Sequence, residues 1–373
     1  MSLVATTAFG LEAIVKRELE GLGFADLQVS DGMVEFQGDF KAVARANLNL
    51  RSADRIYVKI GEFKALTFDE LFEGVKALPW SDWIPADGVF PVTGKAVKSI
   101  LHSVPDCQAI TKKAVVESLK KKYGLSIFPE NGAAYMIRVA LHKDIASLLL
   151  DTSGEALHRR GYRLQGVEAS LKETLAAALV QLSFWEPGRL LLDPFCGSGT
   201  IPIEAALIGR EIAPGLLRSF AAEKWGCSPA APWQEERELA RSRIKPLSEP
   251  LIEASDMDSE AIAVSEANAR RAHVTDDIHF TRKMLNELWI DREYGIVICN
   301  PPYGERMGEL RDARQNYFDL GRIFRKKTGW SVYVITPDWD FERRFGAVAE
   351  RKRKLFNGGM EVTYYQYFGR KPK

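Results

Sequence analysis

The run LLLDPFCGSGTIPIEAALIG, residues 190–209, closes an apolar stretch on an acid, turns through two glycines and resumes as an apolar segment. It reads as strand, tight loop and helix. Gly197 and Gly199 lack a Cβ, so the backbone there can turn sharply and approach a ligand closely. The loop falls at the carboxyl end of a strand, where open α/β sheets bind nucleotide-like ligands. No Lys-Ser/Thr pair follows the glycines, and the third glycine of GxGxxG is missing, so the phosphate-cradling patterns are excluded. A cofactor without phosphates fits such a loop, with Asp193 placed to meet one end of it. By itself, GxG after a strand is also what an ordinary tight turn looks like.

Outward from this run the alternation repeats. LIEASD (251–256) precedes SEAIAVSEANARRA (259–272), YGIVICN (294–300) precedes a helix from about residue 313, and SVYVIT (331–336) follows. Nearly all-apolar strands alternating with helices predict a parallel sheet covered on both faces. Upstream, residues 171–185 predict a long amphipathic helix. A proline- and tryptophan-bearing insertion with one short helix (234–243) lies between residues 213 and 250. The tail, RKRKLFNGGMEVTYYQYFG (351–369), reads as an antiparallel hairpin turning at Asn357–Gly359. Asp256, at the end of the next strand, can accept hydrogen bonds from both hydroxyls of a ribose. The plainer reading makes Asp256 or Asp258 the N-cap of the helix that follows. One is expected to bind and the other to cap.

Asn300-Pro301-Pro302-Tyr303 follows directly on the strand ending at Cys299. Two prolines fix φ and remove two N–H donors, leaving a stiff loop that displays carbonyls. The Asn300 amide oxygen and the Pro301 carbonyl are then neighbouring acceptors, which suits an –NH2 group with two hydrogens. Tyr303 can stack on a base. A structural turn is the alternative, weakened by the position of the loop opposite the glycine turn.

The first 160 residues read as small α+β units. A helix is expected over 11–22, a strand at 33–36, helices over 39–50 and 109–123, and a strand at 56–60. Thr67 is expected to cap a helix running to residue 78, with Glu70 completing a capping box. Tyr135 to Leu141 alternates as the start of a strand pair. No catalytic signature appears here, so a binding module is the economical reading.

Composition sets the outer limits. With 373 residues, 46% apolar and 27% charged, the chain describes a globular protein of two or three domains. Apolar runs stop far short of the roughly 20 residues that span a bilayer, and the expected location is the cytoplasm. Cys107, Cys196, Cys227 and Cys299 form no CxxC pair, which argues against disulfides or a zinc site; no metal is expected. Net charge is only +1, but Lys95 to Tyr123 holds seven lysines against two acids. Lys95, Lys98, Lys112, Lys113, Lys120, Lys121 and Lys122 are candidate contacts to a polyanion, although solvated helix faces explain such a patch as readily. A second basic patch runs from Arg343 to Lys354.

DPFCGSGT (193–200), the acidic strand end and NPPYGER (300–306) together resemble a class I amino-methyltransferase. The whole chain resembles the bacterial THUMP-domain methyltransferases, the group labelled N6-adenine-specific DNA methylases. It is similar in layout to the N-terminal half of the large-subunit rRNA guanine-N2 methyltransferase. The likeness extends to LHRRGYR (157–163) and LKETLAAAL (171–179).

That resemblance implies a Rossmann-like α/β catalytic domain (161–373), mostly parallel with a C-terminal antiparallel hairpin. A ferredoxin-like α+β module (1–55) and a THUMP RNA-binding module (56–160) would precede it. It implies S-adenosyl-L-methionine as cofactor. Leu171, Glu173, Thr174, Asp193, Phe195, Gly197, Ser198, Gly199 and Thr200 would line it, and Asp256 or Asp258 would hold its ribose. Asn300, Pro301, Pro302 and Tyr303 would form the catalytic loop. Members usually place an Asp or Asn near the third strand's end; here that stretch reads FTRKMLN (280–286). The implied substrate is guanine N2 in 23S rRNA or a large-subunit precursor. Adenine-N6 methylation of DNA or RNA, protein-glutamine methylation and a non-catalytic RNA-binding assembly factor are the alternatives.

Overall fold

The computed structural model describes residues 1–163, 171–245, 252–303 and 307–370, apart from the side chains of 307–312. Its N-terminal part runs β1 (Ser2–Thr6), α1 (Glu12–Gly21), β2 (Gln28–Ser30), β3 (Met33–Gln37), α2 (Phe40–Asn49), β4 (Arg55–Lys64), α3 (Phe68–Lys76), β5 (Val92–Val97), α4 (Val104–Tyr123), β6 (Ile137–His142) and β7 (Ile145–Asp151). These strands form one sheet in the order β2-β3-β1-β4-β7-β6-β5. The small units expected from the sequence are therefore joined. β4 pairs antiparallel with β1 on one side and with β7 on the other. The expected boundary at 55/56 falls on the first residues of this shared strand.

Local chemistry explains the helix starts. Asp39 accepts from the Ala42 N–H at the head of α2, and Thr67 from the Glu70 N–H at the head of α3. The Glu70 carboxylate returns to the Leu66 N–H, one residue before the cap, a displaced form of the capping box. α4 begins five residues earlier than expected, at Val104. Pro105 does not obstruct it, because a first-turn N–H has no intrahelical partner to lose.

The second part comprises α5 (Glu173–Leu182), β8 (Leu191–Asp193), α6 (Thr200–Gly209), α7 (Ala230–Ser242), β9 (Ile252–Asp256), α8 (Ser259–Arg271), β10 (Ile278–Arg282), β11 (Gly295–Cys299), α9 (Met307–Phe324), β12 (Trp330–Thr336), α10 (Phe341–Phe345), β13 (Arg351–Asn357) and β14 (Met360–Tyr367). Its sheet has the order β10-β9-β8-β11-β12-β14-β13. The first five are parallel, and β14 runs antiparallel to both β12 and β13. Every residue of β11 and β12 is buried, as expected of strands covered on both faces. The hairpin turns at Asn357–Met360, as the sequence indicates. The order of strands reverses at β8, so a crevice opens beyond the carboxyl ends of β8 and β11.

Three helices of this second part depart from expectation. The long amphipathic helix over 171–185 is a ten-residue helix, α5, buried on nearly every side. It packs on α6 and on α1 of the N-terminal part, so it has little water-facing surface to mark with polar residues. α7 starts at Ala230 and α9 at Met307, both ahead of expectation.

The two parts are laced together. Phe220, Trp225 and Trp233 from the insertion lie in the hydrophobic core of the N-terminal sheet. Trp225 stacks on Tyr135 with ring centroids 5.1 Å apart, and its indole N–H donates to the Ala134 carbonyl. In return, Leu11 and Ile14 enter the core of the second sheet. Arg45 of α2 is hydrogen-bonded to Glu236 of α7 at 2.8 Å, and Glu236 is fully buried.

Candidate functional site

β8 carries Asp193 to the carboxyl end of the parallel strands, and the glycine loop begins there. Asp193 is buried, accepting one hydrogen bond from the Phe195 N–H at 3.1 Å. The Cys196 N–H donates to Ser255 O and the Gly197 N–H to Asp256 Oδ2, both at 3.0 Å, so the loop is pinned across the end of β9. Gly197 has φ +50°, and a Cβ there would meet nothing within 4 Å, since the position faces open space. Gly199, with φ +79°, is tight: a Cβ would lie 2.9 Å from Ser265 Cβ of α8. The second glycine thus serves the packing of α6 against α8.

A cavity of about 520 Å³ opens over this loop. Of the residues singled out from sequence, Leu171, Asp193, Phe195, Gly197, Ser198, Thr200, Asp256, Asn300 and Pro302 line it. The glycine turn, the acidic strand end and the diproline loop meet in one place. Asp256 and Asp258 divide as the sequence suggests: Asp258 caps α8 by accepting from the Glu260 N–H, while Asp256 faces the cavity.

Other candidates lie elsewhere. Glu173 and Thr174 are buried in the first turn of α5, outside the lining. Glu173 pairs with Arg163 at 3.0 Å, and burial raises its carboxyl above the usual range. Gly199, Pro301 and Tyr303 do not line the cavity either. Tyr303 turns back, donating its hydroxyl to Asn300 Oδ1, and burial pushes the phenol pKa up.

The lining also holds residues that sequence reading did not assign. Lys283, Met284, Leu285 and Asn286 come from the end of β10, the stretch where an acid or amide is customary. Asn286 is the amide available there. Asn316 and Asp319 reach the cavity from α9. Their signal was slight, a polar pair three residues apart on one helix face.

The electrostatics favour a cation. Burial, followed by the nearby Asp256, pushes the Asp193 carboxyl up to about 8, and no positively charged group among the described residues is paired with it. Three carboxylates and one lysine line the cavity. A ligand bearing an ammonium and a sulfonium would supply the missing positive charge, and Asp256 is open to hydroxyls. The arrangement fits S-adenosylmethionine. Cys196 and Cys299 are raised by burial and lack thiolate character.

The candidate polyanion contacts sit on β5 and α4. Lys112 pairs with Glu130 at 2.7 Å and lies 3.5 Å from the Phe90 ring centroid. Lys113 lies over the Phe72 ring and Lys120 pairs with Glu117. Lys120, Lys121 and Lys122 occupy the last turn of α4, where positive charge also complements the helix dipole. Lys98 follows β5 with φ +52°, and Lys95 lies on β5. In the second basic patch Arg343 and Arg344 both bind Asp340, and Lys352 binds Glu342. Among the described residues no helix is long and apolar enough to cross a membrane.

Comparison with known proteins agrees with this layout. Residues 160–366 match an RMKL-like methyltransferase domain, residues 2–57 an RlmL ferredoxin-like domain and residues 65–151 a THUMP domain. A Bacillus subtilis protein to which RNA methyltransferase activity is attributed, YpsC, is 47% identical over 99% of this chain and 96% of its own. The crystal structure of a predicted N6-adenine-specific DNA methylase from Listeria monocytogenes is 48% identical, with a TM-score of 0.93 over 99% of this chain and 96% of that one. SMU.472, assigned as a methyltransferase and solved with SAH bound, is 42% identical with a TM-score of 0.93, covering 100% of this chain and 99% of that one.

Proposed function

The chain belongs to the RMKL-like methyltransferase family, and from that premise we propose that it methylates an exocyclic amino nitrogen of a base in RNA, guanine N2 of 23S rRNA being the target its layout suggests. It is an S-adenosylmethionine-dependent methyltransferase. The reading rests on one observation: Asp193, buried with no cation partner among the described residues, and Asn300, an amide at the end of β11, line the same cavity. The THUMP match and the activity attributed to YpsC support RNA as the substrate.

S-adenosylmethionine supplies an activated methyl group on a sulfonium. The protein's task is orientation. Asp193 holds positive charge and Asp256 accepts from hydroxyls, while Phe195, Leu171 and Met257 give apolar walls. Asn300 Oδ1, on the cavity, would accept one hydrogen of a base –NH2, and the Pro301 carbonyl, set back from the lining, the other. That turns the nitrogen lone pair out of conjugation with the ring and fixes its direction, so that much of the barrier is met by placement. The same two oxygens stabilise the positive charge that grows on nitrogen, an oxyanion hole with reversed sign. The spare proton leaves to water, since the N-methylated aryl ammonium that forms is strongly acidic. Pro301 and Pro302 keep the acceptors rigid.

The purified protein, radiolabelled methyl donor and rRNA from a strain lacking the gene provide the test, with duplex DNA alongside. Nucleoside mass spectrometry should show N2-methylguanosine in RNA. Methyl incorporation only into DNA adenine would replace this reading with the activity named for the Listeria relative.

A further inference from the structure

Between the N-terminal sheet and the catalytic domain lies a second cavity, of about 330 Å³, that the site above leaves unused. Lys95 enters it from β5 and Lys172 from the residue before α5. Neither ammonium has an ion pair among the described residues. Asp54 is the acid on the lining, so the lysines outnumber carboxylates two to one. At its lip Phe9 and Phe356 meet edge to face, centroids 6.3 Å apart, and Phe9 leaves 53% of its surface in solvent. The exposed ring of Phe9, backed by the half-buried Phe356 and set beside such cations, makes the combination that grips single-stranded nucleic acid: phosphates meet the ammonium groups and bases stack on the ring.

The position is as informative as the chemistry. Lys172 follows Leu171, which lines the catalytic cavity, and Thr174 of the same segment lines the cleft. Consecutive residues of one segment thus face the two cavities, Leu171 the first and Lys172 the second. Arg163, at the end of LHRRGYR, donates to the Leu171 carbonyl and pairs with Glu173 of this segment. Burial first, then the charges of Lys172, Arg159, Arg160 and Arg163, hold the His158 imidazole down at about 4.

We propose that this cleft is the passage for the RNA strand that carries the target nucleotide, with Lys95 and Lys172 on its phosphates and Phe9 and Phe356 as the stacking platform for a flanking base. The proposal rests on the RNA reading above and deepens it. THUMP lysines on α4 would then be outlying contacts, several of them already engaged within the protein.

Fluorescence anisotropy of the full-length protein with a 5′-fluorescein-labelled 20-nucleotide single-stranded RNA tests it, over a series of salt concentrations. The Lys95→Ala/Lys172→Ala variant should bind about tenfold more weakly, and its slope of log affinity against log salt should fall by about 1.4, or 0.7 for each phosphate no longer neutralised. Phe9→Ala should lose about tenfold in affinity. If it melts early, Lys172→Gln, which removes the charge and keeps a long polar side chain, carries the test instead, with the slope falling by about 0.7. Lys326→Ala, just before the amino-terminal end of β12, should match the wild type. Unchanged affinity and slope in the double-lysine variant, with the wild type still methylating RNA, would overturn the cleft and spare the RNA reading. A wild type that methylates duplex DNA but neither binds nor methylates RNA would overturn the reading, and the cleft with it.

Discussion

The hydroxyl of Tyr303 donates to Oδ1 of Asn300, the oxygen through which a base amine would be held. One lone pair of that oxygen is therefore taken before substrate arrives, and an incoming –NH2 must compete with a phenol. A neutral hydrogen bond contributes roughly 0.5–1.5 kcal/mol net. Tyr303→Phe keeps the ring and removes the competitor, so KM for RNA should fall about threefold with kcat little changed. An unaltered KM in steady-state methyl-transfer assays would show that the two groups do not compete.

Asn300→Ala should lower kcat by about a hundredfold or more, the scale seen when one preorganised polar group facing a transition-state charge is removed. The dissociation constant for S-adenosylmethionine, measured by calorimetry, should stay within about threefold. Equal losses in both quantities would mean that the amide supports the fold of the loop and not the reaction.

Asp193 gives a pH signature. Its carboxyl sits at about 8 in the protein alone, far above the roughly 3.9 of a free aspartate, and a cation beside it favours the ionised form. Binding S-adenosylmethionine near pH 7 should thus release a proton. Affinity should climb as pH rises from 6 towards 8 and level off above it. Calorimetry in two buffers of different ionisation enthalpy reads the proton directly, and Asp193→Asn should abolish both effects.

His158 gives a pH signature in stability. Its pKa in the folded state is about 4, against 6.5 for a free imidazole. Between those values the unfolded chain binds a proton that the folded chain refuses, so stability falls as pH drops from 6.5 towards 4. His158→Gln should flatten the dependence of Tm on pH over that window. A curve parallel to the wild type would place the acid sensitivity elsewhere.

The two glycines of the loop should separate in their effects. Gly199→Ala combines a left-handed backbone with an overlap on Ser265, and about 2–4 kcal/mol of destabilisation is expected in denaturant unfolding. Gly197→Ala meets only the backbone penalty, about 1 kcal/mol. Its methyl group projects into open space, and cofactor affinity is where any further loss should appear.

What the sequence disclosed follows from how local each feature is. Asp193, Gly197, Asp256 and Asn300 each belong to a short loop whose shape is written in its own glycines, prolines and acids, and these residues meet at one cavity. Alternation of apolar strands with helices pointed to the parallel sheet. Features that depend on a distant partner were not readable. β1, inside the N-terminal sheet with three buried residues in succession, has no alternation to reveal it, because Leu3 and Ala5 are packed in one hydrophobic cluster and Val4 in another. α5 was expected to be amphipathic and is not, since α1 covers the side that water would otherwise reach. Asn316 and Asp319 reach the cavity from α9, a helix that a sequence presents only as periodic. The aromatic residues of the insertion carried no hint of direction: Trp225 and Trp233 belong to the other domain's core.

That exchange of side chains has a practical outcome. Cutting the protein at residue 160 would strip Phe220, Trp225 and Trp233 of their cover and leave Glu236 as a bare negative charge, without the Arg45 guanidinium. The catalytic half is thus not a detachable enzyme, and a single unfolding transition, not two, is expected on heating. Arg45→Ala alone, some distance from the catalytic cavity, should weaken the whole molecule by about 3 kcal/mol.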